Sequence, residues 1–212
     1  MKAYLSRIPF DEKLNALSHG IAAIAAIVGW VILIIYAYES RVDYAMLSTF
    51  MYGPGLSMVF LSSTIYHAVI DKKRKCLWKL IDHICIYLLI AGTYTPVLLI
   101  TVGGTLGWSL FVLQWTFAGL GIILKIFFIG RYKMLSVLSY VGMGWVAVFL
   151  LSTLYTSLAP IGFYLLLAGG LSYTIGVFFY LQKQSIYGHF IWHLFVIGGA
   201  LFHYLMILLY IL

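Results

Sequence analysis

Residues 188–212 read GHFIWHLFVIGGALFHYLMILLYIL, a run of 25 residues that contains three histidines but no Lys, Arg, Asp or Glu. A transmembrane helix needs roughly 20 consecutive apolar residues, so this run is long enough to cross a bilayer. Because a bilayer offers no water to unpaired backbone groups, the run is expected to be helical. The three histidines are the polar groups that such a helix must accommodate.

The composition of the whole chain also indicates a membrane protein. The chain has 212 residues, of which 64% are apolar and 9% are charged, and its mean hydropathy is +1.04. An average soluble domain is about 45–50% apolar and about 25% charged. A soluble fold of this size could not cover so much apolar surface. This excludes a soluble enzyme, a nucleic-acid-binding domain and a disordered tail.

Seven apolar segments predict an all-α bundle of seven transmembrane helices that forms a single domain over residues 1–212. The segments lie near Leu14–Tyr38, Tyr44–Ile70, Leu80–Val102, Gly107–Ile129, Leu135–Thr156, Pro160–Leu181 and Gly188–Leu212. Small residues in these segments predict close helix packing at Gly142, Gly144, Gly169, Gly170, Gly198 and Gly199.

The basic residues predict the orientation of the helices. With the N-terminus in the cytoplasm, only Arg41 of the thirteen Lys and Arg residues lies outside. The other twelve are Lys2, Arg7, Lys13, Lys72, Lys73, Arg74, Lys75, Lys79, Lys125, Arg131, Lys133 and Lys183. Such an excess of Lys and Arg is typical of the cytoplasmic side of a membrane protein. We therefore expect a multi-pass protein of the cell inner (plasma) membrane with its C-terminus outside. The net charge of +7 then reflects topology, and no nucleic-acid partner is expected.

Four ionisable residues fall at a similar depth in this topology. His67 lies at the cytoplasmic end of the second span, and Asp82 lies at the start of the third. His189 and His193 lie in the first turns of the seventh span. An ionisable residue inside a span is costly and indicates a functional site.

The spacing of these residues favours a metal site. His189 and His193 are four residues apart, which lets two imidazoles on one helix share a metal ion. With His67 as a third ligand and a fourth position left for water, the set is typical of catalytic zinc, although imidazole also suits iron and nickel. Asp82 could accept a hydrogen bond from that water or act as a base toward it. Ser63 precedes His67 by four residues, and by itself it could simply bond back to its own helix.

For the remaining histidines in the spans, a packed structural role is the simpler expectation. His203 lies 14 residues beyond His189, about 21 Å further along the helix. His83 points about 100° away from Asp82. His19 opens the first span.

At these residues the sequence resembles bacterial hemolysin III-type proteins, the prokaryotic branch of the progestin and adipoQ receptor (adiponectin receptor-like) family. The resemblance covers essentially the whole chain and rests on four ordered motifs. These are Glu12-Lys-Leu-Asn15-Ala-Leu-Ser18-His19, Ser63-Thr-Ile-Tyr-His67, Asp82 followed by Ala91-Gly-Thr-Tyr-Thr-Pro96, and His189-Phe-Ile-Trp-His193 with His203 ten residues further on.

The resemblance implies a zinc ion bound by His67, His189 and His193. It also implies that Asp82 holds or activates the water on that zinc, with Ser63 as a supporting polar group. It assigns no role to Glu12, Asn15 or His19.

Three functions remain open on the sequence. The first is a zinc-dependent hydrolase that acts on a lipid amide or ester, with membrane lipids as partners and substrate. The second is a non-enzymatic membrane-lipid sensor or regulator with structural zinc. The third is a pore-forming cytolysin, implied by the family name. The residues favour the cytolysin least, because a conduit needs a polar stripe along a span and the outer halves are nearly uncharged.

Overall fold

The computed structural model describes residues 8–128, 131–182 and 187–212, and the regular elements in these ranges are all helical. Seven helices are long and apolar enough to cross a membrane. They are α1 (Phe10–Glu39), α2 (Ala45–Ala68), α3 (Lys72–Val102), α4 (Gly104–Phe128), α5 (Lys133–Ser157), α6 (Pro160–Leu181) and α7 (Gly188–Tyr210). The predicted all-α, seven-span fold is confirmed. Four residues named above, Lys2, Arg7, Ile129 and Lys183, lie outside the described residues.

Two helices begin earlier than their apolar segments because polar residues form their first turns. Helix α1 begins at Phe10, so its first turn contains Glu12, and acidic residues are favourable at a helix N-terminus. Helix α3 begins at Lys72, and the Asp71 side chain caps it by accepting a hydrogen bond from the Arg74 backbone N–H at 3.0 Å. These polar first turns bring charged groups next to the end of α2.

The outer surface of the bundle is apolar. Phe149 is 89% exposed and Ile24 is 68% exposed, whereas Leu33 and Met206 are fully buried inside the bundle. A monomeric soluble protein rarely exposes large contiguous apolar patches. The exposed faces therefore fit a lipid environment.

The helices that carry the predicted site residues are direct neighbours. Helix α1 packs along α2, α2 along α3, α6 along α7, and α7 also packs against α1. Helices α2 and α3 approach at backbone level, since a Cβ at Gly92 would lie 2.7 Å from the Met51 carbonyl oxygen. This close packing fixes α2 against α3 at a level away from His67 and Asp82.

The prediction that six glycines serve close packing was correct for only half of them. A Cβ would meet a neighbouring side chain at Gly169, Gly198 and Gly199, but it would meet nothing within 4 Å at Gly142, Gly144 and Gly170. The physical reason is space: Gly144 and Gly170 line an internal cavity, so their missing side chains leave room there.

Helix α5 tightens in its middle, where Trp145–Leu150 is a 3₁₀ segment. The Tyr94 hydroxyl on α3 donates to the Gly144 carbonyl at 2.6 Å and accepts from the Ala147 N–H at 2.8 Å. One side chain of α3 thus satisfies backbone groups at this irregular point of α5.

Candidate metal centre

A cavity of about 390 Å³ lies inside the bundle, and its described lining comes from six of the seven helices, all but α4. Its wall is predominantly apolar. Polar groups gather at the end where α1 and α7 begin, and His203 lies toward the other end. His189 and His203 are 14 residues apart on α7, or about 21 Å along the axis. The cavity therefore runs through much of the apolar core of a bilayer, which is about 30 Å thick.

The cavity is partly open, and the exposure of its lining residues indicates an opening on the side formed by α5 and α6. Val148 on α5 and Leu171 on α6 both line it, and they are 41% and 49% exposed. These helices make few contacts with each other. The cavity thus opens toward the face of the bundle that lipid would cover.

Three histidines converge at the polar end of the cavity. One ring nitrogen from each of His67, His189 and His193 lies within 4.8 Å of the others. His67 comes from the last turn of α2, and His189 and His193 come from the first turns of α7. His67 and His193 are buried, being only 3% and 2% exposed. This group could hold a metal ion.

One distance within the histidine group matches that expected for two ligands of a tetrahedral metal. The Nε2 atoms of His67 and His189 lie 3.2 Å apart. Two imidazole nitrogens bound to one zinc ion at 2.0–2.1 Å with tetrahedral angles would be separated by about 3.3 Å. Without a metal, one of these nitrogens must donate a hydrogen bond to the other. The spacing therefore suits ligation with little rearrangement.

The ring of His67 is held from outside the group by Glu12 on α1. His67 Nδ1 lies 2.7 Å from Glu12 Oε2. The other Glu12 oxygen, Oε1, lies 3.1 Å from Nζ of Lys75 on α3. The first turns of α1 and α3 thus meet at the end of α2.

The ring of His193 is also supported by α1. Its Nδ1 lies 3.4 Å from the Ser18 hydroxyl, and the ring interacts with the Asn15 backbone. The His19 ring stacks on the His193 ring with centroids 3.6 Å apart and an interplanar angle of 8°. Neither ring nitrogen of His19 has a hydrogen-bond partner among the described residues, and His19 lines the cavity.

Asp82 and Ser63 line the same cavity as His189 and His193, but they are not members of the histidine group. The Ser63 hydroxyl lies within hydrogen-bonding reach of the Asp82 carboxylate, and the buried Lys125 ammonium is within electrostatic reach. His83 Nδ1 lies 3.6 Å from Asp82 Oδ2, too long for a good hydrogen bond. It donates instead to the Lys79 carbonyl at 2.6 Å, on its own helix.

The structure therefore brings together His67, His189 and His193, and it places Asp82 and Ser63 next to one another on the same cavity. The contacts that α1 makes with two of the three histidines were not predicted from the sequence. A signal was present, because Glu12, Asn15 and His19 recur at i, i+3 and i+7 and so share one face of a helix. His203 donates from Nε2 to the Leu166 carbonyl at 3.1 Å, in keeping with a structural role.

Seven apolar helices, six of which line a cavity, and three converging histidines define a multi-pass membrane protein with a group able to bind a metal. The chain matches the model of the Haemolysin-III related family over residues 9–204, and it belongs to that family. The family membership expected from the motifs is confirmed.

Three relatives illustrate the range of similarity. The chain is 44% identical to Hemolysin-3 of Bacillus cereus over 95% of its own length and 92% of the relative's. It is 42% identical to the Hemolysin-3 homolog of Bacillus subtilis (strain 168) over 94% of each chain. It is 29% identical to Monocyte to macrophage differentiation factor of Homo sapiens, over 92% of this chain and 82% of that protein. Together with the seven apolar helices, the bacterial relatives indicate a multi-pass protein of the bacterial cell membrane.

Proposed function

We propose that the protein is a zinc-dependent hydrolase that cleaves an amide or ester bond of a membrane lipid. The observation that carries this proposal is that His189 and His193 of the three-histidine group line a largely apolar cavity that Asp82 also lines. Three histidines with an open fourth position are typical of catalytic zinc, whereas structural zinc sites usually use four protein ligands. A cavity of about 390 Å³ is within the usual range for small-molecule sites.

Zinc at such a site supplies a water-derived nucleophile near neutral pH and polarises the carbonyl that is attacked. Hydrolysis then breaks the C–N bond of an amide or the C–O bond of an ester, and the products are a carboxylic acid and an amine or alcohol. In this proposal Asp82 accepts the proton from the attacking water and returns it to the leaving group. Ser63 orients the Asp82 carboxylate.

The shape of the cavity supports a lipid as the substrate. Its apolar length beyond the histidine group fits a long acyl chain, and its opening between α5 and α6 faces the lipid side of the bundle. The reacting carbonyl would then lie at the polar end, near the headgroup region. Membrane lipids are the partners that this arrangement favours.

A second candidate is a membrane-lipid sensor or regulator in which zinc is structural. It is favoured by the fact that the histidine group joins α2 to α7, so a bound ion would tie two helices together. A third candidate, a cytolysin, is suggested by the name Hemolysin-3 of two relatives. The predominantly apolar lining of the cavity argues against a water-filled pore.

The test uses the purified protein in lipid nanodiscs with a panel of long-chain lipid amides and esters. Asp82→Asn should lower turnover by about 10²–10⁴-fold, the range expected for loss of a general acid–base group. The matched control is Glu39→Gln, which neutralises an exposed carboxylate at the far end of α1 and should leave turnover unchanged. A chelator should abolish activity, and added Zn²⁺ should restore it.

The three candidates give different results in this experiment. Full turnover in Asp82→Asn, or in the metal-depleted wild type, would overturn the hydrolase proposal. A wild type that binds zinc, gains thermal stability from it and yields no product across the panel would favour the sensor. Release of an encapsulated dye from liposomes by the wild type would favour the cytolysin.

A further inference from the structure

We propose that Glu12 is a positioning residue for the metal site: its carboxylate holds the His67 ring with Nε2 toward the other histidines, and Lys75 holds the carboxylate. The inference rests on the metal site of the proposed function and extends it to the first helix. It assigns a role to the polar first turn of α1.

The hydrogen bond between Glu12 and His67 selects one form of the imidazole ring. An ionised carboxylate only accepts hydrogen bonds, so the 2.7 Å contact requires a hydrogen on His67 Nδ1. In a neutral ring the lone pair then lies on Nε2. That is the nitrogen found 3.2 Å from His189 Nε2. Carboxylates that fix metal-binding histidines in this way are common around metal sites.

Lys75 fixes the carboxylate in turn. Its Nζ lies 3.1 Å from Glu12 Oε1, so both carboxylate oxygens have a partner. The side chains of Glu12, Lys75 and His67 are only 23%, 29% and 4% exposed. Charge-assisted bonds of this kind are stronger than neutral ones. The Lys75 ammonium also lies 5.1 Å from the Tyr66 ring, which places it against the residue before His67.

The other contacts of α1 support the same role. Ser18 and the Asn15 backbone lie against the His193 ring, six and three residues beyond Glu12. Helix α1 thus contacts two of the three histidines, and it meets His67 at Nδ1, the nitrogen that does not face His189. A purely structural ion pair between α1 and α3 would need only Glu12 and Lys75, and it would give no reason for the shorter contact to His67.

The test is the zinc affinity of the full-length protein, measured by competition with a chromophoric chelator. Glu12→Ala should weaken zinc binding by about 10–100-fold, as is typical when an outer partner of a metal ligand is lost. Glu12→Gln should show a smaller loss, since its amide oxygen can still accept a hydrogen bond without the charge. Lys75→Met should also weaken binding by less than Glu12→Ala.

The matched control is Asp11→Ala, which removes the neighbouring carboxylate. Asp11 points about 100° away from Glu12 around the helix, so zinc affinity should not change. The thermal stability of the metal-free proteins is measured alongside. A Glu12→Ala protein that loses stability without zinc but keeps wild-type zinc affinity would overturn the positioning role.

Two further outcomes separate this inference from the proposed function. If wild type, Glu12→Ala and Asp11→Ala all bind zinc equally, the metal site stands and the role of Glu12 is wrong. If the wild type binds no zinc, both the metal site and this inference are wrong.

Discussion

Histidines lie toward both ends of the cavity, and their surroundings are different. At the polar end, His67 and His189 come from separate helices and direct Nε2 atoms at each other across 3.2 Å. Toward the other end, His203 donates from Nε2 to a backbone carbonyl of α6 and lies against the Tyr173 ring. A buried polar group is costly unless it has a partner. For His203, Nε2 has a backbone partner and Nδ1 has no hydrogen-bond partner among the described residues, whereas one nitrogen from each member of the histidine group lies near a common centre.

The largest predicted difference between the two ends of the cavity is the effect of losing a histidine on zinc content. His67→Ala removes one of three ligands and should lose stoichiometric zinc, whereas His203→Ala removes a histidine from the same cavity and should keep it. Elemental analysis of the two purified variants measures the difference. Equal zinc content in both variants would mean that His67 contributes no more to metal binding than His203 does.

A smaller effect is expected on stability at the His203 end. A Cβ at Gly169 would collide with the His203 ring, whereas a Cβ at the adjacent Gly170 would meet nothing within 4 Å. Gly169→Ala should therefore lower the free energy of unfolding by about 1–3 kcal/mol, the usual cost of overpacking. Gly170→Ala is the matched control, and unfolding in mild detergent is the measurement. Equal stabilities would show that the His203 ring moves aside freely.

The smallest effect concerns the contact between α6 and α7 that lies between the two ends. The Ser172 hydroxyl donates to the Phe195 carbonyl at 2.8 Å. Hydrogen bonds between membrane helices contribute about 0.6 kcal/mol on average, so Ser172→Ala should cost about that much. Ser109→Ala, which removes an exposed hydroxyl bonded to its own helix, is the control for unfolding measurements. A change in zinc affinity in Ser172→Ala would contradict the separation of the two ends.

The sequence predicted the helices well because length and apolar content alone decide whether a segment can cross a bilayer. It also predicted that His67, His189 and His193 share a depth, since alternating helix directions bring the end of α2 and the start of α7 to one side. The assignment of that side to the cytoplasm stays a prediction from the charges.

What the sequence did not reveal depends on rotation about helix axes and on packing. The contact of Glu12 with His67 requires a particular face of α1 to meet the end of α2, which depth does not specify. The same is true of the glycines: Gly169 and Gly170 are adjacent and chemically identical, yet one meets the His203 ring and the other lines the cavity. The sequence at these two positions does not reveal which of the two glycines contacts the ring.

The opening between α5 and α6 has a consequence for how any lipid ligand would reach the polar end. Such a ligand would arrive by diffusion within the plane of the bilayer, so its effective concentration is its mole fraction among neighbouring lipids rather than its amount per volume of solution. Occupancy would therefore respond to the composition of the membrane and not to dilution of the sample. The lipid composition of the bilayer, as well as the structure of the cavity, would therefore determine the occupancy of the cavity by a lipid ligand.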